Sequence, residues 1–189
     1  MEALLTSTAV VALAEIGDKT QLLAIVLATR FKRPVPIIAG IFVATIANHF
    51  LAALVGVEAS NLLQGRWFRY VIAASFIAMA IWTLIPDKLD DIAEEKGRFG
   101  AFLTTVIAFF LVEMGDKTQI ATVALGARFQ SVAWVTAGTT LGMMLANVPA
   151  VFLGNELIRR VPMHVVRMVA AGLFLVIGLW LLGQTAGLL

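Results

Sequence analysis

Apolar stretches of about twenty residues recur along this 189-residue chain and leave little sequence outside them. A helix needs about that many residues to cross the ~30 Å hydrocarbon core of a bilayer. Composition agrees: 60% of the residues are hydrophobic and only 14% are charged, with a mean hydropathy of +0.94. Soluble domains carry roughly 45–50% apolar and about 25% charged residues. A soluble domain is excluded, and the lipid bilayer is the expected partner.

The spans are read at 3–29, 35–57, 67–85, 101–127, 131–153 and 165–185, which predicts an all-α membrane protein with six transmembrane helices in a single domain, 1–189. Pro34 and Pro162 stand near the starts of spans two and six, and Pro86 closes span three. The net charge of +2 and pI near 9.3 would suggest nucleic acid in a soluble protein. Here the basic residues sit in short loops, so no nucleic acid is expected. The absence of cysteine removes disulfides and thiolate metal sites. Glu2, rather than a basic residue, precedes the first apolar run, which favours a retained first span over a cleaved signal peptide.

The chain is duplicated. Glu15-Ile16-Gly17-Asp18-Lys19-Thr20-Gln21 returns as Glu113-Met114-Gly115-Asp116-Lys117-Thr118-Gln119, a shift of 98 positions. The same shift relates Arg30-Phe31 to Arg128-Phe129, Ala39-Gly40 to Ala137-Gly138, Glu58 to Glu156, Arg69 to Arg167 and Trp82 to Trp180. Ala47-Asn48 matches Ala146-Asn147 with a one-residue slip. The first repeat is 1–86, an acidic cytoplasmic loop follows at 87–98, and the second repeat is 99–189. Three spans per copy force the second copy to enter from the opposite side, so the expected architecture is two inverted three-helix repeats, a plan transporters often use.

Charge orients it. Arg30, Lys32, Arg33, Lys88, Lys96, Arg98, Arg159, Arg160 and Arg167 belong to loops one, three and five, against Arg66, Arg69 and Arg128 in loops two and four. The basic side should be cytoplasmic, which puts both termini outside.

Of the acidic residues, only Glu15, Asp18, Glu113 and Asp116 fall deep inside apolar spans. Each costs about 2.5–3.5 kcal/mol on insertion scales and must face protein or water. Glu and Asp three apart share a helix face, and Lys19 or Lys117, four after the Glu, joins them. Gly17 and Gly115 would let another backbone approach, or let the helix unwind. If the motifs meet, four carboxylates converge, with Gln21, Gln119, Asn48 and Asn147 as further amide donors. Oxygen donors suit hard cations such as Ca²⁺, Mg²⁺ and Mn²⁺. Four acids against two charge-balancing lysines leave two negative charges, which one divalent cation neutralises. Crowded carboxylates also titrate as a coupled set, so protons and metal would compete for the same oxygens.

Blander readings accompany these. The motif could be a structural Glu–Lys pair joining helices. Asn48 and Asn147 could be interhelical glue worth about 1 kcal/mol. His49 faces Val148 in the other copy and reads as a packed or hydrogen-bonded histidine. Gly40-x3-Ala44-x3-Asn48 and Gly138-x3-Gly142-x3-Ala146 read as close helix packing. Glu58 and Glu156 would be solvated at span ends or attract cations there. Asp87, Asp90, Asp91, Glu94 and Glu95 read as solvated loop surface, with a cation lure as the other reading.

At 15–20 and 113–118 the sequence resembles the small Gdt-type membrane cation/proton exchangers with two E-x-G-D-K/R-T/S motifs. That family includes bacterial Mne-type manganese exporters and Golgi calcium/manganese–proton exchangers. The resemblance covers essentially the whole chain. It implies that Glu15, Asp18, Glu113 and Asp116 bind the cation, with Thr20 and Thr118 in the motif. It also implies export of cytoplasmic Mn²⁺ across a bacterial inner membrane, with no cofactor and no enzymatic activity. Spacing alone does not separate Mn²⁺ from Ca²⁺. Other readings are a calcium/proton exchanger, an exporter of small organic cations or amino acids, and an intramembrane aspartyl protease using Asp18 and Asp116 as a dyad.

Overall fold

A computed structural model describes residues 1–63, 65–85, 100–154 and 162–188. Among these there are eight α-helices and no strands: α1 Glu2–Glu15, α2 Lys19–Phe31, α3 Pro34–Leu62, α4 Arg66–Thr83, α5 Ala101–Glu113, α6 Lys117–Phe129, α7 Val132–Leu153 and α8 Met163–Ala186. The expected acidic loop at 87–98, together with Pro86, Glu156, Arg159 and Arg160, lies outside the described residues.

Where the sequence predicts single long helices at 3–29 and 101–127, the chain makes two in each case. The interruptions have one cause. Gly17 and Gly115 take φ of +82° and +75°, a region open to glycine and strained for other L-residues. The residues before them, Ile16 and Met114, are extended. Of the two readings for these glycines, unwinding holds. A Cβ built on Gly115 would meet nothing within 4 Å, so no backbone crowds that position. Span two is longer than predicted, because α3 continues through Glu58 and Asn61 to Leu62. Apolar periodicity stops where side chains become polar, whereas the backbone stays helical for another turn.

The duplication persists in backbone detail. Lys32 and Gln130, 98 positions apart, both end their helices in the left-handed conformation, with φ of 51° and 54°. Their N–H groups return to Ala28 O and Gly126 O at 2.9 Å, an αL cap that satisfies a terminal carbonyl.

The two copies interleave. α1 packs along α7 and α5 along α3, α2 meets α7 as α6 meets α3, and the remaining pair, α4 and α8, lie against each other. The small-residue stripes permit this. A Cβ on Gly40 would sit 2.9 Å from Phe102 O on α5, and one on its counterpart Gly138 2.5 Å from Leu4 O on α1. Phe76 of α4 and its repeat equivalent Phe174 of α8 stack at 6.2 Å between centroids. Such pairs contribute about 0.5–1.5 kcal/mol beyond area burial.

Two apolar cores result. One gathers Val10, Phe76, Leu125 and Phe174 from α1, α4, α6 and α8. The other gathers Leu23, Ile41, Phe109 and Met143 from α2, α3, α5 and α7. Each helix break therefore carries the chain from one core into the other. The outer surface is apolar as well: Phe42, Val43, Ile46, Phe50, Leu51 and Val55 of α3 are all exposed. A patch of that size is foreign to soluble monomers, and α3, α7 and α8 are each long and apolar enough to cross a membrane. The chain is an integral membrane protein.

Candidate functional site

Both breaks are built by the same local device. Asp18 and Asp116 occupy the N-cap positions of α2 and α6 in extended conformation, yet neither side chain caps its own helix. A capping aspartate normally accepts from the N2 or N3 amide. Instead, the glutamine three residues on reaches back to the amide just before the N-cap. Gly17 N donates to Gln21 Oε1 at 3.0 Å and Gly115 N to Gln119 Oε1 at 2.7 Å, a variant of the capping box. The aspartates are thereby left to face outward from their helix ends.

They turn to the opposite copy. Lys19 Nζ lies 2.9 Å from Asp116 Oδ1, and Lys117 Nζ lies 2.5 Å from Asp18 Oδ1. The glutamine amides cross over too: Gln21 Nε2 donates to Ala146 O at 2.9 Å, and Gln119 Nε2 donates to Asn48 Oδ1. Thus the breaks are fastened crosswise, each motif to the other copy, near the paired Ala-Asn positions of α3 and α7. Sequence reasoning placed the lysines as charge balance; the structure shows that each is paired with the aspartate of the other repeat.

Glu15 and Glu113, the last residues of α1 and α5, are buried at this junction. Thr20 Oγ1 donates to Glu15 Oε2, and Thr118 Oγ1 lies 2.7 Å from Glu113 Oε1 and 3.3 Å from Asp116 Oδ2. Glu15, Glu113 and Asp116 each bring a carboxylate oxygen to within 4.8 Å of the others. Asp18 stands outside that cluster, held by Lys117. Oxygens on opposite sides of a cation bound at about 2.1–2.5 Å would be about 4.2–5 Å apart, so the spacing suits a hard ion.

Satisfaction of the polar atoms points the same way. Glu15 Oε1, Glu113 Oε2 and Asn147 Oδ1 are buried without a hydrogen-bond partner. Orphaned buried carboxylate oxygens are costly and call for an explanation. A bound cation or a proton supplies one. Asn147 Nδ2 is spent on Met143, reaching its carbonyl at 3.1 Å and its Sδ at 2.8 Å, whereas Asn48 Nδ2 donates to Phe110 O at 3.3 Å.

His49, which the sequence reads as a packed or hydrogen-bonded histidine, is fully buried on α3 and hydrogen-bonded, with Nε2 3.4 Å from Glu113 Oε1.

Comparison with known proteins gives a consistent picture. The model of the family described as divalent cation/proton antiporter GDT1 matches residues 3–91 and 101–187, which is nearly the whole chain. A Vibrio cholerae protein named "Putative manganese exporter" is 52% identical over 95% of this chain and 90% of its own length. GDT1-like protein 5 of Arabidopsis thaliana is 27% identical over 92% of each chain. GDT1-like protein sll0615 of Synechocystis is 28% identical over 87% of this chain and 88% of its own. No solved structure matches.

Proposed function

Because this chain belongs to the divalent cation/proton antiporter GDT1 family, we propose that it exports divalent cations from the cytoplasm, manganese foremost, in exchange for protons. The observation that carries this reading is the buried cluster of Glu15, Glu113 and Asp116 with two orphaned carboxylate oxygens. These oxygens would replace the hydration shell of the ion. Asn147 Oδ1, also buried without a hydrogen-bond partner, is an amide oxygen free to add to them. The amide oxygens of Gln21, Gln119 and Asn48 already accept hydrogen bonds, which suits them to hold the breaks. Manganese is preferred over calcium because the 52% identical relative carries that metal in its name.

The topology that goes with this function is six spans in two inverted repeats, 1–86 and 99–189. Spans one and four are the broken pairs α1–α2 and α5–α6. Crosswise packing of each broken pair on the other copy supports it, and so does the placement of half-helix ends at a site between two cores. Charge asymmetry of the loops puts both termini outside the cytoplasm of a bacterial inner membrane.

Proton coupling follows from the donor set. Oxygens that must lose protons to bind metal exchange one for the other. Both aspartates are paired with a lysine of the other copy, but only Asp116 joins the carboxylate cluster in this state; the exchange of that place for Asp18 when the halves rock would alternate access.

The test is flux in proteoliposomes containing a pH indicator. Wild-type protein is expected to move Mn²⁺ with opposite proton movement, and E15Q, D18N, E113Q and D116N to lose that flux. Mn²⁺ flux indifferent to a pH gradient would remove the proton coupling. Unimpaired flux in all four amide variants would remove the site.

A further inference from the structure

Two cavities of opposite character meet at Arg128. The first, of about 490 Å³, opens where α3, α6 and α8 end and α4 begins, and is lined by Arg69, Arg128, Ser60, Gln130, Gln184 and Thr185 among others. Among the described residues no carboxylate lines it. The second, of about 380 Å³, is a furrow walled by Leu5, Ala9, Phe76, Leu125, Leu173 and Ile177, with Arg128 and Trp180 at one end. Glu2, exposed at the start of α1, is the one acid on its described lining. Leu173 and Trp180 are seven residues apart on α8, about 10 Å of helix, so the furrow runs a fair way along the bilayer normal.

Arg128 is held at the junction by two rings. Its Cζ lies 5.5 Å from the Phe129 centroid and 5.3 Å from that of Trp180. Ring faces attract the cation without using its N–H donors, which match the geometry of phosphate. Among the described residues neither Arg69 nor Arg128 is in an ion pair. A half-buried guanidinium beside an apolar furrow gains more from a counter-charge than one in water. Two arginines against Glu2 leave one positive charge, which one phosphodiester neutralises.

We propose that the joined cavities bind an anionic phospholipid, its phosphodiester at Arg69 and Arg128 and one acyl chain in the furrow. A polar cavity that opens into an apolar one is the shape of an amphiphile. A free phosphate would use the arginines and leave the furrow idle. A zwitterionic lipid would bring an ammonium group toward the same arginines, which repel it. Basic pockets between spans are a recurrent way of holding acidic headgroups. The lipid would touch α1 and α6 as well as the α4–α8 pair, and so hold that pair where it packs.

The experiment is native mass spectrometry of the full chain in detergent, with phosphatidylglycerol and phosphatidylethanolamine of identical acyl chains. The wild type should retain phosphatidylglycerol in preference. R69Q and R128Q should each lower that retention by about fivefold, and R66Q, an exposed arginine that lines neither cavity, should leave it unchanged. A9W, which fills the furrow from an exposed helix position, should lower it as well. Equal retention of the two lipids by the wild type overturns the proposal without requiring any variant to fold. A loss in R66Q as large as in R128Q overturns it too, since net charge would then be the cause. Displacement of phosphatidylglycerol by an equal concentration of inorganic phosphate or deacylated glycerophosphoglycerol would show an anion site with no use for the furrow, and the lipid would fall.

Discussion

The two copies of the motif have the same backbone and different surroundings. Both breaks turn on a glycine of positive φ, both are closed by a glutamine, and the 13-residue helix after each ends in a left-handed cap. Yet the Lys19 side chain is 25% exposed while that of Lys117 is 3% exposed, and Met114 and Gly115 are exposed where Ile16 and Gly17 are half-buried. The difference comes from helices outside the motif. The α4–α8 pair rests on α1 and α6, and its packing on the equivalent α5 and α2 is slight at most. One core is therefore covered by the third helix of each copy and the other is not. Local sequence decides where the chain bends, and tertiary packing decides which side of each bend is covered.

The comparison is most severely tested by the glutamates. If the halves act in alternation, E15Q and E113Q should each cut initial Mn²⁺ flux by about 100-fold or more, at or above the top of the range for lost metal-site interactions. Radiolabelled or dye-reported flux checks this. A large loss in one and a small loss in the other would mean that only one copy handles the ion.

The lysines should separate the copies in stability. Lys117→Met takes its lysine partner from the buried Asp18, and breaking a buried pair costs about 3–5 kcal/mol. Lys19→Met also takes a partner from a buried aspartate, but water reaches that pair through the 25% exposed lysine, so the cost should be smaller. Unfolding of the two variants in the same detergent measures the gap, and equal midpoints would contradict the burial difference.

The glycines should show the smallest effect and no asymmetry. Alanine at Gly17 or at Gly115 must adopt a positive φ, at a cost of roughly 1–2 kcal/mol. At Gly115 the added Cβ meets nothing, so strain is the whole effect there. Equal destabilisation of G17A and G115A would show that the breaks share one cause. A much larger loss at Gly17 would point to crowding at the half-buried break.

Much of this was readable in the chain before folding. A polar seven-residue motif repeated at constant shift marks both breaks, and small residues every four positions mark the close approaches of α3 to α5 and of α7 to α1. Span ends were less legible, because hydropathy follows side chains while the helix of 34–62 follows backbone bonds. The crosswise choice of partners was not legible at all. Lys19 stands next to Asp18 in sequence and at a helical interval from Glu15, so local spacing favours pairing within a motif. Only the meeting of two helix N-termini in space sends Lys19 to Asp116 and Lys117 to Asp18.

The crossed lysine–aspartate pairs bear on how the molecule comes to exist. Neither half is electrostatically complete: the counter-charge for each aspartate is encoded in the other half of the gene. A half alone would lack the lysine that meets its aspartate here, so the crossed pairs form only once both halves have docked. A chain cut between its repeats could regain activity only if both pieces were supplied together.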